Sequence, residues 1–146
     1  MSTKEKQEKI VADMRKWQKI ENHSIAATGA VIEETDNPII RLVMEVIQRD
    51  SQMHFRVQQL IEESLTSKAI VLSNDELAQV WTMIEKHKAV EEQSVALAKE
   101  SLENTAGNKG LLVQRYLLEY LLIDEQKHDK LLENLEAIKK DIYPYA

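Results

Sequence analysis

The sequence predicts an all-α protein built as a four-helix bundle. Its 146 residues include only three glycines and two prolines, which leaves few places for the tight turns of β-hairpins. Apolar residues recur at steps of three and four over long stretches, the spacing of one helix face. With a hydrophobic content of 43%, the chain can bury one core, so we expect a single domain over residues 1–146.

Three breaks divide the chain into four predicted helices. They lie at residues 35–38, 66–74 and 105–110, where Pro, Gly, Asn and Ser are typical of turns. The helices are predicted at about 4–30, 38–65, 75–104 and 110–141. Ser73, followed by Glu76, forms a capping box that opens the third helix.

The middle connection favours two antiparallel helical hairpins joined by a long crossover. Residues 68–72 are more apolar than a solvated turn, and about ten extended residues can reach roughly 33 Å, the length of a bundle. A partly buried short loop in an up-down-up-down bundle is the alternative. The halves also resemble each other, residues 20–27 matching 90–97 and residues 50–54 matching 124–128, which indicates an internal duplication.

Composition excludes several kinds of function. Without cysteine the chain has no disulfide, thiolate zinc site, cysteine-ligated iron–sulfur cluster or thiol nucleophile. A formal net charge of −6 argues against binding to nucleic acid. Residues 1–9 lack the apolar core of a secretory signal, and residues 111–123 are too short and polar to cross a membrane. We therefore expect a cytoplasmic protein that binds neither nucleic acid nor membranes.

Polar residues interrupt the apolar face of every predicted helix at mid-length. Two residues that lie opposite each other in an antiparallel helical hairpin are at equal sequence distances from the middle of its turn. The midpoint of Glu21 and Ser51 is position 36, and that of Glu91 and Glu125 is position 108, each within a predicted turn. The polar residues are therefore predicted to face each other within each hairpin.

Inward carboxylates need protons, cations or a metal, because each unpaired charge in an apolar interior costs several kcal/mol. The inward-facing sides of the predicted helices contain no obvious Lys or Arg. Carboxylates and imidazoles without sulfur suit iron or manganese better than copper(I) or structural zinc. The candidate metal ligands are Glu21, Asp50, His54, His87, Glu91, Glu125 and His128.

This pattern resembles the ferritin-like superfamily and, within it, the rubrerythrin-type di-iron carboxylate proteins. In that family two helices each supply a Glu and the other two each supply Glu-x-x-His. The resemblance implies that Glu21 and Glu91 take the single-Glu places. It also implies that Glu125 and His128 form one complete Glu-x-x-His and that His54 is the second histidine.

Ser51 departs from the family pattern. It stands where the second Glu-x-x-His should have its carboxylate, and a neutral hydroxyl is a poor bridging ligand. Asp50, four residues before His54, is an alternative ligand that would give an asymmetric or mononuclear site. His87, one turn before Glu91, is either an additional ligand or a hydrogen-bond partner of a ligating carboxylate.

The resemblance implies a metal-binding protein with iron as the first choice and manganese as the second. It implies oxidation of Fe(II) by oxygen or peroxide as the chemistry, a separate protein as electron donor, and a homodimer. Storage in a cage is disfavoured, because we predict no fifth helix after Ile142. The alternatives are a metal-free helical interaction or stress-related scaffold, which Ser51 favours, and a DNA-protecting mini-ferritin, which the acidic charge balance disfavours.

Overall fold

The computed structural model describes residues 1–140, which form four long α-helices and one 3₁₀ turn. The elements are α1 (Thr3–Glu34), α2 (Pro38–Thr66), α3 (Asn74–Glu103), the 3₁₀ turn (Lys109–Leu111) and α4 (Leu112–Lys139). Residues 1–140 contain no strand, which confirms the all-α prediction. Across that same range, none of the helices combines the length and the apolar character that a membrane span requires. The segment after Ile142, for which no fifth helix is predicted, lies outside the described residues.

Local sequence chemistry accounts for the starts of α1 and α3. The Ser73 hydroxyl accepts from the backbone N–H of Glu76, whose carboxylate reaches back to the Ser73 backbone, so the predicted capping box is confirmed. Ser2 and Glu5 form the same motif at the start of α1. Each box satisfies amide groups that have no partner inside the helix.

The helix ends differ from the prediction most in α1 and α4. Helix α1 continues four residues beyond position 30, to Glu34, because its residues 31–34 carry no helix breaker. Helix α4 begins later than predicted, after the tighter 3₁₀ turn. Gly107 lies in the preceding loop with a φ of 70°, a left-handed conformation in which glycine is unstrained.

The chain divides along its sequence into two compact units at Val71 and Leu72. The first unit is the antiparallel hairpin of α1 and α2, and the second, of which residues 72–140 are described, is the hairpin of α3 and α4. Between α2 and α3, the apolar side chains of Ile70, Val71 and Leu72 are exposed.

The helices of the first hairpin pack through a polar seam. Its buried side chains are Glu21, Thr28, Ser51 and Gln58. One apolar stripe of α2 lies outside this contact: Met53, Val57 and Leu60 are 53%, 50% and 53% exposed. A hairpin covers only one stripe of each helix, and on α2 that stripe runs through residues 51 and 58.

Asn37 provides a test of the first hairpin's turn. Its side-chain oxygen accepts from the backbone N–H groups of Ile39 and Ile40 at 3.0 and 3.2 Å. Asn37→Ala is expected to lower the free energy of unfolding by about 1 kcal/mol, because these amides lose their partner. Urea denaturation measures the change, with Asn22→Ala on the exposed surface of α1 as the control. Equal stability of the Asn37 variant and the wild type would contradict the capping role.

Candidate metal centre

The second hairpin brings two carboxylates and two imidazoles together at mid-length. Glu91 on α3 is buried, with 8% of its surface exposed. One turn earlier, His87 places Nε2 2.9 Å from Glu91 Oε1. On α4, His128 Nδ1 lies 3.4 Å from Glu91 Oε2 and 3.6 Å from Glu125 Oε2. Four of the seven predicted ligands therefore converge within one hairpin.

The spacing of these atoms suits a single metal ion. One ligand atom each from Glu91, Glu125 and His128 lies within 4.8 Å of the other two. Metal bonds to carboxylate oxygen and imidazole nitrogen are about 2.0–2.2 Å long, so ligand atoms around one ion are separated by roughly 3 Å. Small side-chain movements would close the cluster around an ion. A shallow cavity of about 300 Å³, lined by His87, Glu91, His128, Leu131 and Leu132, opens beside it.

The two facing carboxylates titrate differently. Hydrogen bonding to Glu125 lowers the pKa of Glu91, and the hydrogen bond from His87 and the charge of His128 act in the same direction. Hydrogen bonding to Glu91, together with burial, raises the pKa of Glu125. Of the two carboxyl groups, Glu125 is therefore the one that takes up a proton first as the pH falls, and Glu91 is the acceptor.

A further carboxylate lies on the far side of the His128 ring. Asp124 Oδ2 is 3.4 Å from His128 Nε2, while His128 Nδ1 faces Glu91 and Glu125. A carboxylate that accepts from one ring nitrogen fixes the ring orientation and leaves the other nitrogen for a metal. Asp124 is not among the predicted ligands. Its position four residues before His128 is the signal that could have identified it.

The first hairpin repeats the glutamate–histidine contact of the second. His54 Nδ1 lies 3.4 Å from Glu21 Oε1. Glu21 is buried, with 5% of its surface exposed, and Gln58 Nε2 donates to the same Oε1 atom at 3.1 Å. Glu21 therefore has an amide donor that was not predicted. Gln58 lies four residues after His54, on the same side of α2, and this spacing could have identified it.

Ser51 does not meet Glu21 as its sequence position predicted. Its hydroxyl oxygen is 2.8 Å from that of Ser24, one turn further along α1. A serine side chain is too short to reach Glu21, whereas Glu125 reaches Glu91 in the second hairpin. Asp50, the alternative ligand, is half-buried, and within residues 1–71 Glu21 and His54 are the only predicted ligands in contact with each other.

Comparisons with protein-family models, curated proteins and solved structures gave no match. The resemblance to ferritin-like proteins therefore stays a prediction.

Replacing Glu125 tests the hydrogen bonding between Glu125 and Glu91. Glu125→Gln keeps a hydrogen-bond donor toward Glu91 and cannot ionise, so we expect the metal-free variant to melt a few degrees above the wild type at pH 7. The pKa of Glu125 is raised in the folded state. The protonated Glu125 therefore stabilises the fold at acidic pH, and this stabilisation is lost as the pH rises through the raised pKa. The advantage of the variant should therefore shrink as the pH falls toward 4.5, the ordinary value for this carboxyl.

Thermal melts of chelator-treated protein across this pH range measure the effect. Glu133→Gln, on the exposed surface of α4, is the control and should leave the pH profile unchanged. If the metal-free Glu125→Gln variant were less stable than the wild type at pH 7, the hydrogen bonding between the two carboxyl groups would be contradicted.

Gln58→Leu tests the amide donor in the first hairpin. Leu132 stands at the corresponding place in the second hairpin, so a leucine has a precedent there. Loss of the amide leaves the buried Glu21 carboxylate without its donor, and we expect unfolding to become easier by about 1–3 kcal/mol. Urea denaturation compares this variant with Gln59→Leu at the exposed neighbouring position. Equal effects of the two substitutions would show that Glu21 does not depend on Gln58.

Proposed function

We propose that this protein binds a transition-metal ion through Glu91, Glu125 and His128, with iron as the first choice and manganese as the second. The observation that carries the proposal is the pair of facing carboxylates beside His128 in the seam of the second hairpin. A metal cation between the two carboxylates would neutralise both. Oxygen and imidazole donors without sulfur favour iron or manganese.

His87 has a supporting part in this proposal. Its hydrogen bond to Glu91 fixes one carboxylate oxygen, so the other is directed toward His128. The ring is 60% exposed, which leaves it room to turn and become a fourth donor. His87 also lines the cavity beside the cluster, where an oxidant could approach.

The reaction we propose is oxidation of Fe(II) by oxygen or peroxide. Iron held by Glu91, Glu125 and His128 would supply the Fe(II)/Fe(III) couple that reduces the oxidant, and the two carboxylates would stabilise the higher charge of the oxidised form. The chain's own contribution is to hold Glu91 and Glu125 in a buried seam and to leave the cavity side open.

We also propose the ferritin-like four-helix bundle as the arrangement of the hairpins and a homodimer as the assembly. Each hairpin by itself leaves large apolar side chains exposed and in need of cover. On α2 they include Ile40, Val57 and Leu60, and on α4 they include Leu121, Ile123 and Leu131. Burial of such surface is the main driving force for helix packing.

The same exposed faces favour a second candidate function, a metal-free helical interaction scaffold. Met83 and Leu97 on α3 are 72% and 63% exposed, and such apolar surface is typical of protein–protein contact. This candidate predicts that the chain retains no metal.

Iron retention separates the two candidates. The wild-type chain, loaded with Fe(II) without oxygen and dialysed, is expected to retain iron by elemental analysis, and Glu125→Ala with His128→Ala is expected to lose it. Glu91→Gln should lower Fe(II) affinity more than about tenfold through loss of a charged ligand. Glu92→Gln, at the exposed neighbouring position, is the matched control.

Admission of oxygen to the loaded protein then tests the reaction. The near-ultraviolet absorbance of Fe(III) is expected to rise faster than it does for the same Fe(II) without protein. A wild-type chain that retains neither iron nor manganese would refute the metal site and leave the scaffold as the better candidate.

A further inference from the structure

The internal duplication allows the two hairpins to be compared position by position. Residues of α1 correspond to residues of α3 at an offset of 70, and residues of α2 to residues of α4 at an offset of 74. Glu21 and His54 thereby correspond to Glu91 and His128, and both pairs are separated by 3.4 Å. The two seams therefore have the same geometry at this height.

Two substitutions between α2 and α4 distinguish the seams, and between α1 and α3 Trp17 of the first hairpin is His87 in the second. Gln58 in the first hairpin is Leu132 in the second, and Ser51 is Glu125. The first hairpin thus has one buried carboxylate and an amide that donates to it, whereas the second has two carboxylates and no amide at that place.

These differences decide where a cation is needed. The Glu21 carboxylate already has the Gln58 amide at 3.1 Å and the His54 ring at 3.4 Å, so its charge is solvated by the protein. The Ser51 and Ser24 hydroxyls satisfy each other at 2.8 Å. In the second hairpin the facing carboxylates repel each other when both are ionised, unless a cation lies between them.

We propose that the chain binds a single metal ion, held within the second hairpin, and that the first hairpin is a metal-free copy of the same seam. In that copy the Gln58 amide takes the place of the ion by donating to Glu21, and Ser51 removes the second charge. This inference rests on the proposed function. It makes Glu21 and His54 structural residues, and it makes positions 51 and 58 the ones that determine how many metal ions the chain holds.

Corresponding substitutions in the two hairpins provide the first test. Anaerobic equilibrium dialysis of the full chain against Fe(II) is expected to give about one iron per chain. Glu21→Gln retains an oxygen that accepts from Gln58, so it should change Fe(II) affinity less than about threefold. Glu91→Gln, at the corresponding position, should lower it more than about tenfold. Two irons on the wild-type chain, or equal losses from both substitutions, would overturn the inference.

Conversion of the first seam provides the second test. Ser51→Glu with Gln58→Leu gives the first hairpin counterparts of Glu91, Glu125 and His128, and this variant is expected to bind about two irons per chain. Ser51→Gln with Gln58→Leu has matched side-chain size without the charge and should stay at about one. A helical Ser51→Glu, Gln58→Leu protein that binds no second iron would overturn the inference.

The outcomes separate the inference from the proposed function. A wild-type chain with no iron refutes the proposed function, and the inference with it. One iron that is lost on Glu21→Gln refutes the inference alone. If circular dichroism shows that the Ser51→Glu variant is unfolded, the comparison of Glu21→Gln with Glu91→Gln decides.

Discussion

A carboxylate buried between two helices must be matched by a donor, a proton or a cation, because an uncompensated charge there costs several kcal/mol. This constraint applies to both hairpins at corresponding positions along their helices. Glu21 is matched by the Gln58 amide and by His54, and Glu91 is matched by hydrogen bonding to Glu125 and by two histidines. The constraint therefore has two different solutions on one repeated scaffold.

The polar seams also explain what the hairpins leave uncovered. The buried residues are Glu, Thr, Ser and Gln in the first hairpin, and within residues 72–140 they include only Leu77 and Ala98 as apolar side chains, so much of the large apolar surface of the helices lies on other sides and is exposed. Ion pairs across the helices support each hairpin: Arg15 to Glu62 at 2.7 Å and Lys88 to Glu136 at 3.1 Å. Glu62 and Glu136 correspond at the offset of 74, so the duplication extends beyond the candidate centre.

The helices were predictable because their signals are local. Turn residues and capping boxes stand next to the ends that they define, and the differences, such as the longer α1, occur where no breaker marks the end. The Glu91, Glu125 and His128 cluster was predictable from its spacing and from symmetry about the turn. Gln58 and Asp124 were missed, because their importance depends on which stripe of α2 or α4 faces the other helix.

The sequence by itself determined the all-α class, the positions of the four helices, the internal duplication and the heights of the buried carboxylates, since these follow from periodicity and from chain symmetry. Only the tertiary structure decided that Ser51 pairs with Ser24, that Gln58 donates to Glu21, and that Asp124 lies beside the His128 ring. The physical reason is side-chain reach. A rotation or shift of about one turn moves a side chain by roughly 5 Å, which decides between a hydrogen bond and no contact.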